Sequence, residues 1–201
     1  MLGRTHAITT TSTGLLGIYG LYRLTESVST DVWYGSLGHK FVDMLGLNFE
    51  LVGFPLVFAL VVCTLGLLFG SLLPDIDSTK SILGRYVPFV EAILGHRTYT
   101  HTIWVVALLS GAAYYFGYTF LWMIVLGYIM HIIQDSFSVQ GVAWLYPFGK
   151  GYETYAGGAS IKRGFHIGLY RVGGIIENII GVMMVLLMFY MVYVWGSIAF
   201  F

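Results

Sequence analysis

The chain has 201 residues, of which 57% are hydrophobic and only 10% are charged. Soluble domains carry about 25% charged residues, so the composition excludes an ordinary soluble enzyme and a disordered tail. Ten Lys and Arg balance ten Asp and Glu, so no net charge attracts nucleic acid, and no nucleic-acid partner is expected. The one cysteine, Cys63, excludes an intrachain disulfide framework and a CxxC zinc or redox site. The composition therefore predicts a polytopic membrane protein, which we expect to form a single domain over residues 1–201.

Five segments are apolar and close to the roughly 20 residues that a helix needs to cross a bilayer. They cover about 7–24, 50–73, 101–118, 120–138 and 174–200. The first is the most polar because it opens on a run of Thr and Ser. The third and fourth are joined by a very short link, which predicts an antiparallel pair. We therefore expect an all-α protein with about five transmembrane helices.

Two of the loops have recognisable patterns. Residues 81–94 resemble a short interfacial helix that is broken by Pro88. Residues 149–168 contain six glycines, which predicts turns or a hairpin in a glycine-rich loop that lies over the candidate site.

The distribution of positive charges predicts the orientation. With five spans, the N-terminus and the loops 74–100 and 139–173 share one side of the membrane. That side holds eight of the ten Lys and Arg residues, and only Arg23 and Lys40 lie opposite. Because cytoplasmic loops carry the excess of Lys and Arg, we expect a cytoplasmic N-terminus and an external C-terminus.

An acidic pair closes the second span. Asp75 and Asp77 come directly after Pro74, which stops the helix. A carboxylate near a helix C-terminus is electrostatically unfavourable unless a cation compensates for it, so this pair is a candidate metal site. A simple Pro-Asp turn with solvated carboxylates is the alternative.

Two imidazoles precede the third span, in the stretch GHRTYTH. His96 and His101 flank Arg97, and Thr100 is the predicted N-cap of the following helix. Neutral imidazoles bind metals, and a guanidinium can hold an anionic oxygen. An interfacial belt of His, Arg and Tyr is the alternative interpretation.

His131 and Asp135 stand four residues apart in the fourth span and therefore share a helical face. An ionised Asp in mid-membrane costs about 2.5–3.5 kcal/mol on insertion scales, so neither residue is expected to face lipid. A His–Asp hydrogen bond that serves packing alone is the alternative. His6, at the entrance to the first span, and Glu177, in the opening turn of the fifth, carry little information singly.

The candidate residues come from separate stretches, yet the predicted topology places all of them at the cytoplasmic face. Their number exceeds the four donors that a tetrahedral zinc needs, which favours one or two divalent ions. Imidazole with carboxylate suits zinc, with manganese or iron as alternatives. The candidate metal ligands are His6, Asp75, Asp77, His96, His101, His131 and Asp135.

The order of these motifs resembles a known family. The chain runs through Thr5-His6, then LLPDIDSTKSILG, then GHRTYTHT, then GYIMHIIQDSFSVQGVAWLYPF. This order is similar to the YdjM-type family of LexA-regulated, membrane-bound metal-dependent hydrolases. The resemblance covers about residues 4–148, with a weaker match at Glu177, and departs at Ser78, where a His is often found, and at Gln134, which replaces a small residue. It implies an inner-membrane, metal-dependent hydrolase whose ligands are the His and Asp positions named above.

We therefore expect a membrane-embedded hydrolase that cleaves a phosphoester of a lipid or amphiphile at the cytoplasmic leaflet through a metal-bound hydroxide. Arg97 would hold a phosphate oxygen, and Glu177 would serve as general base. Two alternatives stay open. One is a metal-ion transporter, although donors clustered at one face argue against it; the other is a non-catalytic protein with a structural or regulatory metal site.

Overall fold

The computed structural model describes residues 3–27, 33–45, 47–48, 50–94, 99–148, 165 and 167–200. Within these residues the helices are α1 (Gly3–Ser27), α2 (Trp33–Leu45), α3 (Gly53–Leu72), α4 (Pro88–Leu94), α5 (Ile103–Phe116), α6 (Thr119–Phe137) and α7 (Ile175–Phe200). Short 3-10 turns cover Pro74–Asp77, Gly84–Tyr86 and Tyr99–His101. The described residues form no β-strand, only two isolated bridges, Ser138 with Tyr170 and Val142 with Phe165. The all-helical prediction is confirmed.

Three of the described helices are long and apolar enough to cross a membrane: α3 with its 3-10 extension, α6 and α7. They correspond to the predicted spans at 50–73, 120–138 and 174–200. α1 has 25 residues, about 38 Å at 1.5 Å per residue, but its hydroxyl-rich first half makes it less apolar. α5 has 14 residues, about 21 Å, which is shorter than the roughly 30 Å hydrocarbon core. The described helices therefore do not confirm the predicted count of five spans.

The most extensive helix contact among the described residues lies between α3 and α6, and two glycines allow a close approach there. A Cβ on Gly70 would collide with the carbonyl oxygen of Ile124, and a Cβ on Gly127 would collide with the carbonyl oxygen of Leu67. Small residues at such positions let helix backbones approach where lipid provides no hydrophobic driving force. The approach brings the end of α3 against the second half of α6, where the candidate site lies.

α1 and α7 complete the bundle around α3. The buried core contains Leu15 and Ile18 of α1, Leu67 of α3, Met123 of α6 and Trp195 of α7. On its other face α7 exposes apolar side chains, among them Met183, Leu186 and Phe189. This pattern fits a helix whose outer face contacts lipid rather than water.

The loops differ in part from the predictions. Turns and the 3-10 segment Gly84–Tyr86 occupy the first half of the interfacial helix predicted at 81–94, and α4 begins at Pro88. Pro88 starts this helix instead of breaking it because proline has no N–H to lose at the first helical position and its φ angle suits a helix. The predicted glycine-rich loop at 149–168 lies largely outside the described residues. Its end returns to α6, where the Ile167 N–H donates to the Ser136 carbonyl at 2.9 Å.

Candidate metal centre

Five His and Asp side chains from four separate segments of the chain meet at one end of the bundle. His6 lies in the first turn of α1, Asp75 in the 3-10 turn after α3, His101 in the turn before α5, and His131 and Asp135 in the last two turns of α6. All five residues are buried. The sequence brings them together because each one begins or ends a helix at the same face of the bundle.

Four of these residues form an alternating ring of nitrogen and oxygen atoms, which we call the four-donor ring: Asp75, His101, His131 and Asp135. Asp75 Oδ1 lies 3.7 Å from His101 Nε2 and 3.6 Å from His131 Nε2. Asp135 Oδ2 lies 3.6 Å from His101 Nε2 and 3.7 Å from His131 Nε2. Two imidazole nitrogens and two carboxylate oxygens thus face a common centre.

The size of the ring fits a metal ion. Zinc binds imidazole nitrogen and carboxylate oxygen at about 2.0–2.2 Å in tetrahedral geometry, which places neighbouring donors about 3.3–3.6 Å apart. The separations of 3.6–3.7 Å lie at or just above the upper end of that range. The donor types and their spacing therefore fit one divalent cation held by three of the donors, for example Asp75, His101 and His131, whose donor atoms all lie within 4.8 Å of one another.

His6 extends the ring on the side of Asp135. Its Nε2 lies 3.2 Å from Asp135 Oδ1, and its ring stacks on His131 with centroids 3.8 Å apart. Two groups of three donors result, His6–His131–Asp135 and Asp75–His101–His131. His131 belongs to both groups, and its Nε2 has one lone pair, which can bind only one ion. The two groups therefore cannot both be occupied, and the described donors hold at most one ion with three ligands.

His131 and His6 each form a hydrogen bond through Nδ1, the ring nitrogen that points away from the donor centre. His131 Nδ1 lies 2.6 Å from the Ser71 carbonyl oxygen, and His6 Nδ1 lies 2.9 Å from Gln134 Oε1. Carbonyl oxygens only accept hydrogen bonds, so both Nδ1 atoms carry the proton and both Nε2 atoms present a lone pair to the centre. Metal-binding histidines show this arrangement in general.

The charges of the site also favour a cation. Ionised carboxylates buried inside a helical bundle are costly unless positive charge balances them. His6 Nε2 and His131 Nε2 are buried and form no hydrogen bond of good geometry within the described part of the chain. A cation among the donors would satisfy these nitrogens and the facing carboxylates together.

Asp77 lies behind His101 and not among the donors that face the centre. Its Oδ2 accepts a hydrogen bond from the Thr100 hydroxyl and lies 3.6 Å from His101 Nδ1. The Thr100 hydroxyl oxygen in turn lies 3.0 Å from His101 Nδ1. The two ring nitrogens of an imidazole point in different directions, so a group on the Nδ1 side orients the ligand without reaching the metal.

This arrangement corrects the predicted role of Thr100. The N-cap of α5 is Thr102, and no side-chain hydrogen bond caps the helix there. Thr100 and His101 lie instead in the 3-10 turn Tyr99–His101. The hydroxyl of Thr100 binds Asp77 rather than a backbone N–H of the helix.

The other predicted residues are not found in the ring. His96 and Arg97 lie outside the described residues. Glu177 is buried in the first turn of α7, where its Oε2 accepts the Gly173 N–H at 2.7 Å. A carboxylate at this position is favoured by the helix dipole, so the location by itself does not separate a structural role from a catalytic one.

Sequence reasoning missed the residues that orient the histidines. In the sequence, Gln134 is only a departure from the family pattern, and the carbonyl of Ser71 has no sequence signature. One signal could have identified Gln134: it stands three residues after His131 and next to Asp135, so all three lie on one face of α6. A buried amide beside two candidate ligands is expected to bond to one of them.

Comparisons with known proteins agree with the motif order. A family model described as "YdjM inner membrane protein" matches residues 1–200. The chain is 36% identical over 88 residues to the inner membrane protein YdjM of Escherichia coli (strain K12), which covers 38% of this chain and 44% of that protein. It is 31% identical over 84 residues to the uncharacterized protein YvsG of Bacillus subtilis (strain 168), covering 39% of this chain and 52% of that protein. The matches thus span about half the length of these relatives, and no solved structure matches the chain.

Proposed function

The chain belongs to the YdjM inner membrane protein family, and on that premise we propose that it is a membrane-embedded, metal-dependent hydrolase. Three donors from the four-donor ring and His6 would hold the ion, in one of the two groups of three, which leaves the fourth tetrahedral position to water; zinc is the ion that suits these donors best. The observation that carries the proposal is the 3.6–3.7 Å spacing of imidazole nitrogens and carboxylate oxygens around one centre.

The exposure of the ring supports an opening on one side. The side chain of Asp75 is 13% exposed, whereas those of His101, His131 and Asp135 are 0% exposed. Catalytic metal sites keep an open coordination position, whereas structural sites are closed. Water and substrate would therefore enter beside Asp75. A divalent ion bound there supplies a Lewis acid and lowers the pKa of water to near neutrality.

Two residues outside the ring have proposed catalytic roles. Arg97 holds an anionic oxygen of the substrate, because a guanidinium donates paired hydrogen bonds to phosphate. Glu177 accepts a proton as general base. Its helix begins at the same end of the bundle as the ring, since Gly181 of α7 packs near Thr5, the neighbour of His6.

The substrate that we propose is a phosphoester of a lipid or another amphiphile. An apolar groove of about 240 Å³ is lined by Thr100, the neighbour of His101, together with Leu73, Ile76, Val105 and Leu109. Leu73 and Ile76 flank Asp75 in the chain, so an alkyl tail in this groove would leave its head group near the exposed edge of the ring.

The membrane topology is part of the proposal. α1 and α5 join α3, α6 and α7 as spans, which makes five, and the N-terminus and the ring face the cytoplasm. The eight-to-two distribution of Lys and Arg supports this orientation. The substrate would then come from the inner leaflet.

An activity assay on the purified protein tests the proposed hydrolase activity. In lipid or detergent the protein should hydrolyse one of three phosphoester classes: phosphatidic acid, lysophospholipids or polyprenyl phosphates. Chelation should abolish turnover, and zinc or manganese should restore it. Arg97→Ala should keep the metal and lose roughly 100-fold or more in rate, as removal of one charge-stabilising donor does.

A structural metal site is the second candidate, and the near-complete burial of the ring favours it. In that case the metal would hold α1, α3 and α6 together, and the protein would lose thermal stability on chelation without ever turning over a phosphoester. A metal-loaded wild type that is inactive on all three classes would favour this second function.

A further inference from the structure

We infer that Gln134 is a positioning residue of the metal centre, which sets the nitrogen that His6 turns toward the other donors. The inference rests on the proposed metal site, but not on hydrolysis. Gln134 has no charge, and its amide contacts His6 Nδ1 and the Thr10 hydroxyl rather than the donor atoms that face the centre. Its effect on the centre would pass entirely through His6.

The contacts of Gln134 join two helices. Its Oε1 lies 2.9 Å from His6 Nδ1, and its Nε2 donates to the Thr10 hydroxyl oxygen at 3.0 Å. His6 and Thr10 are four positions apart in the chain and therefore lie on one face of α1. All three side chains are buried. One amide of α6 therefore binds two neighbouring groups of α1 and uses both ends to do so.

The direction of these hydrogen bonds determines the tautomer of His6. In the orientation that the structure gives to the amide, Gln134 Oε1 faces His6 Nδ1 and Gln134 Nε2 faces Thr10. Because an amide oxygen only accepts, His6 Nδ1 carries the proton in this arrangement, and His6 Nε2 keeps its lone pair. That lone pair and Asp135 Oδ1 are both electron donors and lie 3.2 Å apart. Such a pair is unfavourable without a shared cation, so the tautomer that Gln134 selects is the one that needs a metal.

Further contacts keep Gln134 in place. The Tyr170 hydroxyl donates to the backbone carbonyl of Gln134 at 2.6 Å, which ties the end of α6 to the segment before α7. His6 is also held flat by its stacking on His131. These contacts hold the backbone of Gln134 and the ring of His6 in position.

Three variants and a control test the inference by zinc affinity, measured in competition with a chromophoric chelator. Gln134→Leu keeps the size of the side chain but removes the acceptor, and it should weaken zinc binding about 10–100-fold, as loss of such an outer hydrogen bond does. Gln134→Glu keeps an oxygen for His6 Nδ1 and should stay within a few-fold of the wild type. In a His6→Ala background, Gln134→Leu should cause no further loss, because its effect passes through His6.

Thr13→Val is the matched control, since this hydroxyl bonds the Thr9 carbonyl of its own helix and does not touch His6. It should leave zinc affinity unchanged, and thermal unfolding in detergent should show that every variant is folded. Equal zinc affinity in wild type and Gln134→Leu would overturn the inference and leave the metal site intact. An additive loss in the His6→Ala background would also overturn it, because the role would then be general packing. A wild type that binds no zinc would instead overturn the proposed metal site itself.

Discussion

The Nδ1 atom of His131 lies 2.6 Å from the carbonyl oxygen of Ser71, so the last turn of α3 orients a histidine of α6. The last four carbonyls of a helix have no partner within the helix, which leaves this oxygen available. The contact depends on how closely the two helices approach at Gly70 and Gly127. Two residues without functional groups thus determine where a candidate metal ligand points.

Gly70→Ala should therefore weaken both the fold and metal binding. The new Cβ would meet the backbone of Ile124, which cannot move aside as a flexible side chain could. We expect a loss of about 1–3 kcal/mol in unfolding free energy, as overpacking typically causes, together with reduced zinc affinity. The measurement is thermal unfolding in detergent with and without zinc. Gly111→Ala in α5 is the control, since nothing lies within 4 Å of its added Cβ; equal effects of the two changes would contradict the close-contact explanation.

His131→Ala and Asp135→Ala should each remove most of the bound metal. His131 contributes to both donor groups, and Asp135 faces three histidines. Elemental analysis of protein purified without chelators checks this. His39 lies near Tyr22 and Glu26, at the end of α1 opposite to His6. His39→Ala is therefore the control and should keep its metal. Unchanged metal content in both site variants would show that His131 and Asp135 contribute to packing and not to metal binding.

Asp75→Asn and Asp77→Asn should differ in severity. Asp75 faces the centre directly, so its loss removes a charged ligand and should abolish tight zinc binding. Asp77 acts through Thr100 and His101, so its loss should weaken binding about 10–100-fold. Zinc titration of both variants gives the comparison. If Asp77→Asn proved the more damaging change, Asp77 would belong among the ligands.

Cysteine labelling tests the orientation. In a Cys63→Ala background, single cysteines replace Ser36, Ser78 and Ser160, which lie in different predicted loops. A membrane-impermeant maleimide added to intact cells should label position 36 alone, because the predicted cytoplasmic side holds most of the Lys and Arg. Labelling of position 78 or 160 from outside would reverse the topology and move the candidate site to the outer face.

The family and the helical class could be read from the sequence because their signals are local. Long apolar segments indicate α3, α6 and α7, and the motif order predicted the family that the whole-chain match confirms. The number of spans could not be read with the same security. α1 combines sufficient length with a polar first half, and α5 is short, so hydropathy alone does not classify either helix.

The sequence by itself determined which chemistry is available, since the types and order of the His and Asp residues are independent of the fold. Only the tertiary structure decided how they divide: Asp75, His101, His131 and Asp135 face one centre, and Asp77 stands behind His101. The role of Gln134 was also decided there, because its partners His6 and Thr10 lie more than a hundred residues away in the chain. The physical reason is that a hydrogen bond depends on the direction of each ring nitrogen and amide atom. Helix packing at glycines such as Gly70 sets that direction, so it cannot be predicted from a local sequence pattern.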